Sequence, residues 1–264
     1  MSDSLLKWKT ASAAHGPWRG LLTAGLIAVS LGAQALPTRF SSGEAQVALL
    51  ELYTSEGCSS CPPADRWLSK LQDDPRLWRE LIPVALHVDY WDEIGWTDVF
   101  ASPAHTTRQQ DYVRHAGLSQ VYTPGLVLQG REWRGWFRGQ DLHLPAARIA
   151  GPLTIDVLDG SQATIRFVPP EKSANELRYT IALLGIGVES AIGRGENAGK
   201  RLRHDFVVLA EHSGPLELLN GEYGANMPLP ASHRSAARYA LVAWVSRGSD
   251  PAPLQAAGGW LTGP

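Results

Sequence analysis

Val47-Ala-Leu-Leu-Glu-Leu-Tyr-Thr-Ser-Glu-Gly-Cys-Ser-Ser-Cys-Pro-Pro-Ala-Asp65 is the stretch on which the reading of this chain turns. It opens on an apolar run, residues 47–54, that fits a buried strand. It closes on Cys58 and Cys61, the only two cysteines in 264 residues. Beyond Pro62-Pro63, residues Ala64, Trp67, Leu68 and Leu71 recur at i, i+3, i+4 and i+7, one face of a helix. Proline suits a first helical turn, where its missing N–H would be an orphan in any case. A strand, a short turn and a CxxC at a helix start is the layout of a redox site. Unpaired N–H groups and the positive end of the helix dipole stabilise a thiolate there. CxxC thiols have pKa values of roughly 3.5–7.5, against about 8.5 for free cysteine. Cys58 is the expected nucleophile and Cys61 the residue that resolves its mixed disulfide.

The spacing alone leaves two other readings open. The pair is compatible with a structural disulfide, which closes a very small loop and removes little unfolded-state entropy. It is also compatible with a clip for a thiophilic metal such as Cu(I). A zinc site needs two more ligands; there is no second cysteine pair, and His87, His105 and His115 are not at ligand spacing. No metal set and no cofactor are assigned.

Working outward, Ile82–Tyr90 reads as a second buried strand and residues 103–116 as a polar helix closed by Gly117. Val121–Leu128 and Trp133–Arg138 read as strands joined by a turn at Gln129-Gly130. The second half changes character. Leu153–Leu158 and Ala163–Val168 alternate around Asp159-Gly160, a hairpin signal. Leu177–Ile186, Asp205–Glu211 and Arg238–Ser246 are further strands, with no long amphipathic helix among them. The expected organisation is a CxxC domain over 36–148, a sandwich-like antiparallel β domain over 149–248, and a flexible Pro/Gly/Ala-rich tail over 249–264.

At the other end, Lys7, Lys9 and Arg19 precede the apolar stretch Leu21–Leu31, and Ala33-Gln34-Ala35 offers an A-x-A site. This is the pattern of a secretory signal over residues 1–35, cut after Ala35, and it implies a periplasmic or secreted protein. Such a compartment lets disulfides persist. The formal net charge of −2 argues against a nucleic-acid partner.

The order of the first half resembles a thioredoxin core. This resemblance, rather than composition, implies an α/β thioredoxin-like domain, a mixed sheet with flanking helices, followed by the added β domain. It also implies that Pro124 in Tyr122-Thr123-Pro124 is a cis-proline lying against the CxxC, with Tyr122 and Thr123 meeting substrate and Trp91 beside them. Glu51 shares a strand face with Val47, Leu49 and Tyr53. It stands near the place of the buried acid that shuttles a proton in thioredoxins. The departures are Gly57 where thioredoxins usually carry Trp, a longer run from Cys58 to Pro124, and Pro145 in what should be the last helix. The Glu51–Asp65 block, His87-Val-Asp-Tyr-Trp-Asp92, Phe100-Ala-Ser-Pro103, Val121-Tyr-Thr-Pro124 and Gly195-Glu-Asn-Ala-Gly199 are together similar to a family of bacterial exported proteins, domain of unknown function 1223. That resemblance implies a fold and an export address, and no established reaction.

Three further motifs are weaker. His87 and Asp89, at i and i+2, are expected to form a pair. Trp91, Trp96, Trp133 and Trp136 are dense enough for an aromatic groove. Gly193–Lys200 lacks the glycine spacing and the Ser or Thr of a phosphate loop and reads as a solvated hairpin loop. The expected function is exported thiol–disulfide exchange with protein or small-molecule thiols. As a reductant, the protein would need an upstream donor such as a membrane-bound redox partner. The alternative is a non-catalytic binding module.

Overall fold

A computed structural model describes residues 38–158, 160–171 and 176–261; the expected signal segment, residues 1–35, lies outside them. Strands β1 (Thr38–Ser41) and β2 (Ala48–Thr54) lead into helix α1 (Pro62–Ser69). Then come β3 (Leu81–His87), α2 (Pro103–Arg114), β4 (Gly125–Leu128) and β5 (Arg131–Glu132). The remainder is built of strands: β6 (Leu153–Val157), β7 (Gln162–Phe167), β8 (Leu177–Ala191), β9 (Arg201–Pro215), β10 (Glu217–Leu219), β11 (Glu222–Pro228), β12 (Arg238–Arg247) and β13 (Asp250–Trp260). Both helices start on proline, and Ser102 caps α2 by accepting the Ala104 N–H at 3.2 Å.

The strands form two sheets, one of eight in the order β13-β12-β8-β9-β3-β2-β4-β5 and one of five in the order β1-β6-β7-β11-β10. β2 runs parallel to β3 and antiparallel to β4. β3 meets β9 in parallel, with Ala85 opposite Val207.

This overturns the expected fold class. The described residues hold only two α-helices and are mostly strand, so this is not an α/β thioredoxin-like domain with flanking helices followed by a separate sandwich. In the second half β8, β9, β12 and β13 continue the sheet that contains β2 and β3, while β6, β7, β10 and β11 pair in the five-stranded sheet. The reason lies in β8 and β12, which are covered on both faces. Ala182, Leu184, Ala240, Val242 and Trp244 enter the core that holds β2, β3 and the helices. The alternating residues Tyr179, Ile181, Leu241, Ala243 and Val245 enter a second core against the five-stranded sheet. Near-continuous apolar runs are what a strand buried on both faces requires.

The C-terminal segment also differs from expectation. Residues 250–260 form β13 rather than a flexible tail. Its composition misleads because Pro251 and Pro253 are tolerated on an edge strand, where a missing N–H breaks no ladder. Within β13 the buried Gln255 accepts the Val47 N–H at 2.8 Å and donates to Ala45 O and Gly151 O. The Pro251 carbonyl accepts from Arg108 and Tyr112 of α2.

The expected strand over 121–128 begins only at Gly125, after Pro124, which has no N–H for a ladder. The turn stands where expected: Gln129 and Gly130 have φ values of 48° and 79°, the double left-handed geometry of a tight hairpin. The strand after it is short, and Trp136–Arg138 is a single 3-10 turn.

Candidate functional site

Cys58 and Cys61 form a disulfide at the entry to α1, with Cα atoms 5.5 Å apart. The turn is closed locally, Cys58 N–H donating to Ser55 O and Cys61 N–H to Cys58 O, each at 3.2 Å. Cys61 already has helical dihedrals (φ −75°, ψ −40°), and its carbonyl accepts the Asp65 N–H at 3.1 Å. Cys61 and Asp65 are therefore i and i+4 on one helix face, where side chains are neighbours. Both cysteines are buried, at 1% and 0% exposure, whereas Ser59 and Ser60 are exposed.

Beside the disulfide lies a buried array of acids and histidines. Asp65 accepts the Thr54 hydroxyl at 2.9 Å, and burial pushes its carboxyl above the ordinary range against the pull of His87 and His204. His87 Nδ1 and Asp98 Oδ2 are 2.6 Å apart. Burial opposes both charges, but the pairing prevails, holding Asp98 down at about 2 and His87 above its usual value. Glu56 binds His204 Nε2 at 3.0 Å and the Trp96 indole N–H at 2.8 Å. These contacts outweigh its burial and lower its pKa. The His87 and His204 rings meet edge to face with centroids 5.0 Å apart, leaving His87 Nε2 and His204 Nδ1 without partners.

Residues 193–200 form the expected hairpin loop, between β8 and β9, with the basic run Lys200, Arg201 and Arg203 exposed, and two other residues of the loop reach the disulfide turn. Asn197 is fully buried and donates to Glu56 O and Cys58 O at 2.8 and 2.9 Å. Glu196 accepts the Ser59 N–H at 3.0 Å, which lowers its own pKa. A carboxylate thus takes one of the N–H groups that the sequence reserved for a Cys58 thiolate. Glu56, Asp65, Asp98, Asn197 and His204 were not picked out from sequence. Glu56, Asp65 and Asn197 lay within the family-like motifs, and that was the available signal.

The other expected site residues separate into two groups. Trp91 bridges the disulfide turn and the Pro124 segment: its Cβ lies 3.2 Å from where a Gly57 Cβ would stand, and its indole N–H donates to Thr123 Oγ1 at 2.8 Å. A Trp in place of Gly57, as in thioredoxins, would collide there. Pro124 is buried and its bond to Thr123 is cis. Tyr122 donates to Glu132 at 2.7 Å, and its carbonyl accepts from Gln109.

Glu51 belongs elsewhere. It is fully buried and takes two bonds from Arg108, at 2.8 and 3.0 Å, and one each from Tyr112 and Tyr53, at 2.6 and 2.8 Å. Along β2 side chains alternate, so Glu51, held by α2, and Thr54, bonded to Asp65 of α1, face opposite sides of the sheet. The expected proton relay through Glu51 is replaced by an ion pair on the side away from α1. His87 likewise pairs with Asp98, not Asp89, which accepts from Thr106. The four tryptophans do not gather into one groove: Trp96 binds Glu56, and Trp133 packs on Trp67. Among the described residues no group of three or more His, Cys, Asp or Glu could hold a metal ion.

The chain matches the family described as "Protein of unknown function (DUF1223)" over residues 49–246 and belongs to it. No curated protein matches. Among solved structures, a structural-genomics target from Agrobacterium tumefaciens is similar at 24% identity, with a TM-score of 0.52, covering 81% of this chain and 94% of that one. HBP35 of Porphyromonas gingivalis is similar at 13% identity, also with a TM-score of 0.52, covering 83% of this chain and 76% of that one. These likenesses concern the fold.

Proposed function

We propose that this protein is a thiol–disulfide oxidoreductase, exported by its N-terminal signal into a compartment where disulfides persist. The observation that carries this reading is a lone disulfide at a helix start with a buried carboxyl one turn away. An incoming thiolate attacks Cys58 Sγ and breaks the S–S bond, and the electron pair leaves on Cys61 Sγ. Asp65, whose protonated form burial favours, is the group placed to give a proton to that thiolate. A second thiol attacks the mixed disulfide and releases Cys58 as thiol. Asp65 regains from solvent the proton that the first thiol shed in forming its thiolate, so the protein has gained two electrons and two protons, and the external thiols have become one disulfide. In reverse the dithiol protein reduces a substrate disulfide, and Asp65 takes the Cys61 proton as Cys61 closes the bond to Cys58. Trp91, Thr123 and Tyr122 border the approach to the disulfide turn, and Pro124 backs it.

Titration of the purified protein against glutathione redox buffers, with thiols trapped at short times, tests the reading. The expected result is rapid exchange at a potential between roughly −120 and −270 mV. A couple below roughly −300 mV that exchanges slowly would make the disulfide a structural staple and overturn it.

A further inference from the structure

Beside the outer face of α1, between that helix and β9, lies a cavity of 390 Å³, of whose lining the exchange chemistry uses only Asp65. Its wall carries four cations, Arg66 from α1, Lys70 just past its C-terminus, and Arg201 and Arg203 from β9. The carboxylates on the same wall are Asp65 and Asp205, both buried. Asp205 is already engaged by the Gly187 N–H and Arg203. Arg201 has one partner at the rim, the exposed Glu189. Arg66 and Lys70 are exposed and have no acidic partner among the described residues. In a chain whose net charge is −2, this is a local concentration of positive charge, not a reflection of overall basicity. The cavity begins at Pro62, the residue after Cys61, and includes Asp65.

We propose that this cavity holds the carboxylates of a small anionic thiol or disulfide while its sulfur meets Cys58, an assignment that rests on the oxidoreductase reading above. The volume falls in the range of small-molecule sites, roughly 300–1,000 Å³. The reach also fits. Arg66 stands five residues beyond Cys61, about 7.5 Å along the axis at the helical rise. A tripeptide-sized molecule spans about 10 Å. A carboxylate on Arg66 thus leaves the molecule long enough to extend to the disulfide turn, while Lys70, four residues further on, adds positive charge at the far end of the cavity. Arginine offers a bidentate fork for such a group, and lysine a point charge.

The test compares reduction of the Cys58–Cys61 disulfide by glutathione, which carries two carboxylates, and by 2-mercaptoethanol, which is neutral. The double substitution Arg66→Gln/Lys70→Gln should lower the glutathione rate relative to the 2-mercaptoethanol rate by about 10-fold. Added salt should lower the same ratio in the unsubstituted protein. An unchanged ratio in both comparisons overturns the proposal and leaves the oxidoreductase reading standing. If neither thiol reduces the protein, that reading fails, and calorimetric binding of glutathione disulfide to Cys58→Ser/Cys61→Ser decides the cavity. Binding that is lost with Arg66→Gln/Lys70→Gln supports the site, whereas absent or unaltered binding overturns it.

Discussion

Two buried carboxylates flank β2 from opposite sides, and their surroundings differ in kind. Glu51, on the α2 side, receives four hydrogen bonds, two of them from the Arg108 guanidinium. Asp65, on the α1 side, has one hydroxyl donor, Thr54, and two histidines felt across space. A carboxylate supplied with a cation and hydroxyls is fixed in place, and it lifts the partner groups too. Arg108 is held well above its usual value, despite burial, chiefly by Glu51, and Tyr53 and Tyr112 are raised by burial and then by Glu51. A carboxyl with few donors is free to exchange a proton. The difference teaches that burial alone does not make an acid a proton carrier; the number of donors around it decides.

The comparison breaks most easily at its stronger side. Arg108→Met leaves Glu51 buried without its cation and should cost about 3–5 kcal/mol of stability by chemical denaturation. Thiol exchange in the protein that stays folded should be unchanged. A slowed exchange there would return Glu51 to the mechanism. The next effect belongs to Asp65. Asp65→Asn keeps an acceptor for Thr54 but carries no exchangeable proton, and should slow release of Cys61 about 100-fold near neutral pH. The check is stopped-flow reduction by 2-mercaptoethanol, and a rate equal to the unsubstituted protein would remove Asp65 from the chemistry.

The smallest effect comes from the pair behind Asp65. Asp98 is depressed from 3.8 to about 2, so its contribution is present above pH 3.8 and is lost as pH falls through about 2. That is worth about 2 kcal/mol. His87 is raised, so its share is present below its unfolded value of 6.5 and is lost as pH rises through the folded value. Denaturation midpoints measured across pH should therefore crest between those limits. Asp98→Asn should flatten the acid limb, and an acid limb unaffected by that substitution would show that the pair does not govern it.

The elements around the CxxC motif were legible because their signals are local. The apolar run of β2, the helical spacing after Pro62-Pro63 and the proline at Pro103 each depend on neighbours within a few residues. What escaped was pairing at long range. Nothing in Asp205–Glu211 announces that β9 will lie beside β3, since one parallel bridge at Ala85 joins them. The Tyr239–Val245 run did carry the information, because seven residues without a polar side chain turned outward describe a strand with no solvent face. In the site, the cysteines and the proline were legible as motifs. The choice between Glu51 and Asp65 was not, because it depends on which face of β2 each helix covers. Glu196 and Asn197 sit in a loop whose glycines suggested only exposure.

The last strand has a consequence for how the molecule is made. A chain grows from its N-terminus, so Cys58 and Cys61 exist long before residue 255 does. Until Gln255 arrives, the Val47 amide at the head of β2 has no acceptor, and until Pro251 arrives Arg108 and Tyr112 lack a carbonyl. Strand β2 and helix α2 are therefore made early but gain these partners only when the final strand docks. Disulfide closure needs only residues 58–61, so truncation within the last residues would leave a disulfide that forms in a protein whose β2 and α2 lack their last bonds.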